Sequence, residues 1–266
     1  MFSLEAKVAV VTGGASGIGK TTLLATLTGV IPPKAGKSVG QLYARAGATV
    51  YLLDLQKAPL QEAAQECGAQ ALVCDVSGGA EVERAIDAVL KQSGRIDIMV
   101  NNAALEVRGG FEELTEEDFD RQIAVNLKAP FFFARRLLPL MQEQGGGVFL
   151  PTGSVASLIA SRNYPVYTMA KHGLAGFTRS IAIDYGKHNI RANCICPSAM
   201  LTPMLQRCFD ESGAPQAERQ SMLNMQPNGR LGNPQELAYL YLYLASDEAA
   251  FVNGAIYTFD GGFTAI

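Results

Sequence analysis

Thr12-Gly13-Gly14-Ala15-Ser16-Gly17-Ile18-Gly19 decides how this chain is read. It follows the short apolar run Lys7–Val11, which has the character of a strand. Glycines at 13, 17 and 19 let a backbone turn sharply and lie close to a pyrophosphate. A helix starting near Gly17 would aim its free N–H groups and the positive end of its dipole at that anion. Strand, glycine turn and helix together form the opening unit of a nucleotide-binding parallel sheet.

The alternation continues outward from that unit. Further strand-like runs are Thr49–Leu53, Ala71–Cys74, Ile96–Val100, Val148–Leu150, Ile190–Ile195 and Ala255–Phe259. Helical patterns lie between them, among them Ala80–Gln92, Glu116–Gln144, Tyr164–Tyr185 and Pro234–Ala245. Apolar strands alternating with amphipathic helices imply βαβ units and a sheet covered on both faces. The expected fold is α/β: a doubly wound, mainly parallel, seven-stranded Rossmann sheet in a single domain over residues 1–266. Such sheets bind ligands beyond the carboxyl ends of their strands, and those ends carry Asp54, Asp75, Asn101 and Thr152.

Composition narrows the function classes. Over 266 residues, 48% are hydrophobic and 18% charged, with a net charge of −3. That excludes a disordered chain and gives no electrostatic footprint for nucleic acid. No apolar run nears the ~18 residues of a membrane helix, and Met1–Lys7 lacks the pattern of a secretion signal. The five cysteines form no C-x-x-C, and Cys194 and Cys196 alternate along a strand as core residues do. A reduced, cytoplasmic setting and no metal site are expected.

More distant motifs point the same way. Asn101-Asn102-Ala103 follows the fourth strand, and Asn126 sits in a long helix. Ser154 precedes Tyr167 by 13 residues, and Lys171 follows Tyr167 at i+4. Pro197 and Thr202 follow the sixth strand, and Asp260-Gly261-Gly262 closes the last. With the T-G-x-x-x-G-x-G turn, this set resembles the short-chain dehydrogenase/reductase family over the whole chain except a stretch near residue 20. The resemblance implies a catalytic group of Asn126, Ser154, Tyr167 and Lys171. Ser154 would bond the substrate oxygen, and Asn126 would hold a water in a proton relay beside Lys171. It implies cofactor contacts from Gly13, Ser16, Gly17, Ile18, Gly19, Asp54, Asp75, Val76, Asn102, Ala103, Tyr167, Lys171, Pro197 and Thr202. It also implies a homotetramer or homodimer.

The chemistry of these residues stands apart from the resemblance. Tyr167 and Lys171 lie one helical turn apart and can face one site. An ammonium beside a phenol favours the phenolate and brings a group with an ordinary pKa of ~10 toward working pH. The phenol oxygen can then exchange a proton with an alcohol or carbonyl oxygen while hydride moves to or from nicotinamide. Asp54, ending the second strand, can accept from adenosine ribose hydroxyls and repel a 2′-phosphate, so NAD is expected over NADP.

Some positions depart from the pattern. Ala104 and Ser198 stand where the family has glycine, and Pro151 removes a ladder donor at the end of the fifth strand. Gly19 and Asp54 are 35 residues apart, whereas ~20 is usual. Removing Lys20–Gly36 restores a separation of 18, so an insertion is expected at about 20–36, in the first crossover helix. Residues 38–46 would then keep the crossover position. The inserted sequence is similar to the start of an ATP-binding-cassette ATPase. Gly14–Thr21 spells G-x-x-x-x-G-K-[ST], where Lys20 would reach β/γ-phosphates and Thr21 would bind Mg²⁺. No L-S-G-G-Q segment accompanies it.

The leading expectation is thus an NAD(H)-dependent oxidoreductase interconverting a secondary alcohol and a ketone, with Tyr167 as general acid/base. A catalytically weakened nucleotide-binding relative and a P-loop NTPase are the alternatives. The substrate pocket is expected from loops 104–112, 155–165 and 199–228, which carry Met200, Met204, Phe209, Met222 and Met225 beside Arg108, Arg162 and Arg207.

Overall fold

A computed structural model of the chain describes residues 2–15, 35–202, 205–206, 209–210 and 212–265. Strand β1 (Val8–Thr12) buries all of its side chains, as a strand covered on both faces must. It pairs in parallel with β2 (Thr49–Asp54) on one side and β4 (Ile98–Asn101) on the other. Adding β3 (Gln70–Val73), β5 (Gly147–Pro151) and β6 (Ile190–Ala192) gives the order β3-β2-β1-β4-β5-β6. The strand order reverses between β1 and β4, and the crevice of a doubly wound sheet opens at such a point.

The α-helices among the described residues are α1 (Ala35–Arg45), α2 (Lys57–Cys67), α3 (Gly79–Ser93), α4 (Glu116–Ile123), α5 (Ala129–Glu143), α6 (Pro165–Tyr185), α7 (Pro215–Asn224) and α8 (Pro234–Ala245). Successive strand residues point to opposite faces, which makes two cores. Ala9, Val11, Leu52 and Val100 pack with Val39 and Tyr43 of α1, Leu60 of α2, and Leu237 and Tyr241 of α8. Val8, Val10, Leu53 and Met99 pack on the other face with Val82 and Ile86 of α3, Phe133 and Leu137 of α5, and Ile181 of α6. Each fully buried aliphatic side chain contributes about 1.5–3 kcal/mol, enough to fix these faces against slippage.

The structure departs from the expected seven-stranded sheet. The sixth strand, expected to run unbroken over Ile190–Ile195, stops at Ala192 and resumes as β7 (Cys194–Pro197). That second half pairs with β8 (Ile256–Phe259) in a separate parallel pair, joined to the main sheet by a bridge between Thr152 and Ile195. The cause lies across the sheet. Gly147 N donates to Asn189 O at 3.2 Å and Gly153 N to Ile195 O at 2.8 Å. By that alternation, residue 151 is the one whose N–H would meet the Asn193 carbonyl, and it is proline. Asn193 turns elsewhere: its Nδ2 donates to Val252 O at 2.8 Å and its Oδ1 accepts from Ala255 N at 3.1 Å.

The long helix expected over Glu116–Gln144 is also divided. A π-helical turn, Ala124–Lys128, separates α4 from α5. The α-helical donor for the Asn126 carbonyl would be residue 130, again a proline, so the ladder cannot continue unbroken there.

The crossover position after β1 is held by α1, whose Val39 and Tyr43 are buried against the sheet. Residues 35–36 of the expected insertion lie in this helix. The rest of the 20–36 stretch, and the triphosphate-binding spelling from Ser16 on, lie outside the described residues. No helix among the described residues is long and apolar enough to cross a membrane.

Candidate active site

The crevice is built on the carboxyl ends of β1, β2, β4 and β5. Gly13 turns the chain after β1 at φ +68°, and a Cβ there would lie 2.9 Å from Asn102 Nδ2 and 3.0 Å from Ala103 Cα. Thr12 stitches this turn to the loop after β4: its Oγ1 accepts from the N–H groups of Asn102 and Ala103, both at 3.0 Å. Asn102 Nδ2 donates back to Thr12 O at 3.1 Å. Asp54 ends β2 with 5% of its surface exposed; its carboxylate accepts from Ala15 N and Gln56 N, each at 3.1 Å. Asp75 closes a turn, its Oδ1 accepting from Ser77 N at 2.9 Å and Ser77 Oγ at 2.7 Å, while Val76 is buried beside it. Ser16, Gly17, Ile18 and Gly19 lie outside the described residues.

The residues expected to carry catalysis come from three elements that pack on one another. Ser154 caps the 3₁₀ turn Val155–Ser157 after β5, its Oγ accepting from Ala156 N at 3.2 Å. Helix α6 packs on that turn and carries Tyr167 and Lys171. Lys171 is 2% exposed. Its Nζ lies 5.4 Å from the centre of the Tyr167 ring and donates to Thr152 O at 2.7 Å. Burial holds its pKa down at about 8, against the opposing pull of Cys194, Cys196 and Glu106. Asn126 sits in the π-helical turn, with Nδ2 donating to Leu105 O at 2.7 Å and Oδ1 accepting from Leu105 N at 3.1 Å. It thereby pins the loop that follows β4. Cys194 and Cys196, both fully buried, pack their sulfurs 3.7 Å apart next to Gly153.

The loops expected to form a pocket are tied to one another. Gly109 N donates to Asn163 O at 2.9 Å, and Arg108 pairs with Glu218 of α7 at 3.6 Å. Met200 and Phe209 are buried as packing, whereas Met225 is 42% exposed; Met204 and Arg207 lie outside the described residues. Pro197 ends β7, and Thr202 Oγ1 accepts from Leu205 N at 3.3 Å. Ser198, at a position where glycine was expected, donates from Oγ to Gln226 Oε1 at 3.2 Å. A cleft of about 320 Å³ opens there, bounded by Ser198, Gln226, Arg230 and Asp260; Tyr167 and Lys171 do not border it.

Two residues do more here than their place in the sequence assigns them. Thr12, the first residue of the T-G-x-x-x-G-x-G turn, acts through N–H groups from another strand's loop. Thr152 offers a backbone carbonyl to Lys171, while its Oγ1 bonds the Tyr241 hydroxyl at 2.6 Å. No cluster of metal-ligating side chains occurs among the described residues.

Known proteins share this sequence and architecture. The profile of the enoyl-(acyl carrier protein) reductase family matches residues 35–264. D-threitol dehydrogenase of Mycolicibacterium smegmatis is 33% identical, over 99% of this chain and 95% of that protein. Levodione reductase of Leifsonia aquatica is 32% identical, over 96% of this chain and 93% of its own. Among solved structures, a protein from Beutenbergia cavernae assigned as an NAD(P)-dependent gluconate 5-dehydrogenase, with NADP bound at low occupancy, superposes with a TM-score of 0.87. It is 26% identical, covering 100% of this chain and 99% of that one.

Proposed function

The chain belongs to the short-chain dehydrogenase/reductase family, oxidoreductases of CH–OH groups that bind nicotinamide cofactors, and on that premise we propose that it interconverts a secondary alcohol and a ketone with NAD(H). The observation that carries this reading is the Tyr167–Lys171 pair, one turn apart on α6, with a buried ammonium 5.4 Å from the phenol ring. In oxidation, the Tyr167 phenolate takes the alcohol proton, and in reduction the phenol returns it. The Lys171 ammonium stabilises the phenolate charge. Ser154 Oγ accepts from Ala156 N, so its own proton remains to be donated to the substrate oxygen. Asn126 fixes the loop after β4 through Leu105 and flanks the site, where its expected part is in the proton relay.

The described residues fit a dinucleotide. Gly13 turns the chain at a positive φ, where a Cβ would press on Asn102 and Ala103, as the tight turn of a pyrophosphate-binding unit requires. The buried amide of Asn101, at the end of β4, has neither polar atom bonded. When bound, the nicotinamide takes up or returns the hydride of the carbinol carbon. Asp54 supports NAD over NADP: a carboxylate at the end of β2 can accept from ribose hydroxyls and repels a 2′-phosphate, and Leu55 and Gln56 bring no cation for one. Asp75, Val76, Asn102, Ala103, Pro197 and Thr202 complete the proposed cofactor contacts.

The substrate class we assign is a small oxygen-rich alcohol or ketone, as the names of the polyol and levodione relatives suggest. Phe131 of α5, with Met169 and Ile183 of α6, is exposed and supports assembly into a homotetramer or homodimer. The test is NADH formation with a panel of polyols and cyclic diols. Tyr167→Phe is expected to lower turnover about 100-fold or more. Undiminished turnover in that variant removes Tyr167 from the mechanism, and a wild-type protein that binds no dinucleotide overturns the assignment.

A further inference from the structure

We propose that Gly36 is the glycine that lets the first crossover helix close onto the cofactor turn, the place that motif spacing gives to Gly19; this rests on the dinucleotide-binding reading above. A Cβ built on Gly36 would lie 2.5 Å from the Gly13 carbonyl oxygen, 2.9 Å from Asn102 Nδ2 and 3.0 Å from the Gly13 carbonyl carbon. Neither neighbour can yield cheaply. The Gly13 carbonyl belongs to a backbone already at φ +68°, and Asn102 Nδ2 is held by Thr12 O at 3.1 Å.

The rest of the helix face agrees. One turn on, a Cβ at Gly40 would lie 2.7 Å from Leu52 Cδ2. Gly36, Val39, Gly40 and Tyr43 are all buried, so two glycines at i and i+4 bring the helix backbone down onto β1 and β2. In a dinucleotide-binding unit one glycine makes the turn, a second admits the pyrophosphate and a third allows close packing of helix on strand. Here Gly13 makes the turn, and the third role falls to a residue 23 positions later.

Sequence explains how that is possible. Gly-Lys occurs at 19–20 and again at 36–37, so removing the segment between them leaves one such pair whichever edge is chosen. The family profile begins its match at residue 35, the first residue of α1. The profile match and α1 thus share the stretch from residue 35 on, with Gly36 near its head. The helix that lies against the Gly13 turn is α1, and Gly36 sets its distance from that turn.

The experiment measures NADH affinity by isothermal titration calorimetry, alongside thermal unfolding without ligand, for wild type, Gly36→Ala and Gly19→Ala. The loss of affinity in Gly36→Ala is expected to exceed that in Gly19→Ala by about tenfold or more. An equal or larger loss in Gly19→Ala overturns the proposal, as does a Gly36→Ala protein that melts lower yet binds NADH as wild type does. Should Gly36→Ala not fold, Gly19→Val decides: a loss beyond about tenfold overturns the proposal and a smaller one supports it. A wild-type protein without affinity for NADH overturns the functional reading itself and this inference with it.

Discussion

The ammonium of Lys171 donates to the main-chain carbonyl of Thr152 at 2.7 Å and stands 5.4 Å from the centre of the Tyr167 ring. Thr152 is itself fixed, its N–H donating to Asn101 O at 2.9 Å and its hydroxyl paired with Tyr241 at 2.6 Å. A cation so placed serves Tyr167 only while it keeps its proton, and burial has brought its pKa to about 8.

Alcohol oxidation is therefore expected to decline on the alkaline side with an apparent pKa near 8. As Lys171 loses its charge, the phenolate loses its stabilising neighbour. The measurement is kcat/KM against pH; a profile flat from pH 8 to 10.5 would take the Lys171 charge out of the mechanism.

The same shift links stability to pH. The native pKa of Lys171 is about 8, against 10.5 for an unburied lysine. Between those values the unfolded chain holds a proton that the native state has released, so this group makes stability rise with pH. Below pH 8 its full cost is present. Relative to wild type, Lys171→Met should gain stability on going from above pH 10.5 to below pH 8, by at most on the order of 3 kcal/mol. Urea unfolding at the two ends of that window would show it. A pH-independent difference between the two proteins would mean that Lys171 titrates normally.

Thr12→Val keeps the shape of the side chain and strands two N–H groups, those of Asn102 and Ala103. The expected loss is about 2 kcal/mol or more. Thr12→Ser, which keeps the hydroxyl, should recover most of it. Thermal unfolding of both variants checks the pair, and a Thr12→Val protein as stable as wild type would show that the two bonds contribute nothing.

Asp54→Ser removes the charge at the end of β2. The ratio of kcat/KM for NAD over NADP is expected to fall about tenfold or more. An unchanged ratio would show that cofactor choice is made elsewhere.

What the sequence discloses is what local signals can carry. The carboxyl ends of β1, β2 and β4, the glycine turn and the Tyr167–Lys171 spacing each depend on residues within a few positions of one another. The break at Asn193 does not: it depends on Pro151, a residue of another strand, and the register that brings the two opposite each other exists only in the folded sheet. The π-helical turn at Ala124–Lys128 was within reach, because Pro130 names the carbonyl that it cannot serve. The start of α1 was ambiguous for a different reason. Two Gly-Lys pairs are equivalent in sequence, and only the fold shows that the second, Gly36-Lys37, lies in the helix against the Gly13 turn. Thr12 opens the glycine motif and Thr152 ends a strand, but their backbone partners leave no pattern along the chain.

Pro151 also divides the molecule into parts that need not come apart together. Beyond its missing N–H, β7 and β8 form a separate pair, hydrogen-bonded to the main sheet at the Gly153–Ile195 contact and, through Gly254 N and Ala192 O, at the end of β6. In deuterated solvent, the backbone hydrogens of Ile256–Phe259 should exchange as one block, at a lower opening free energy than those of Val8–Thr12.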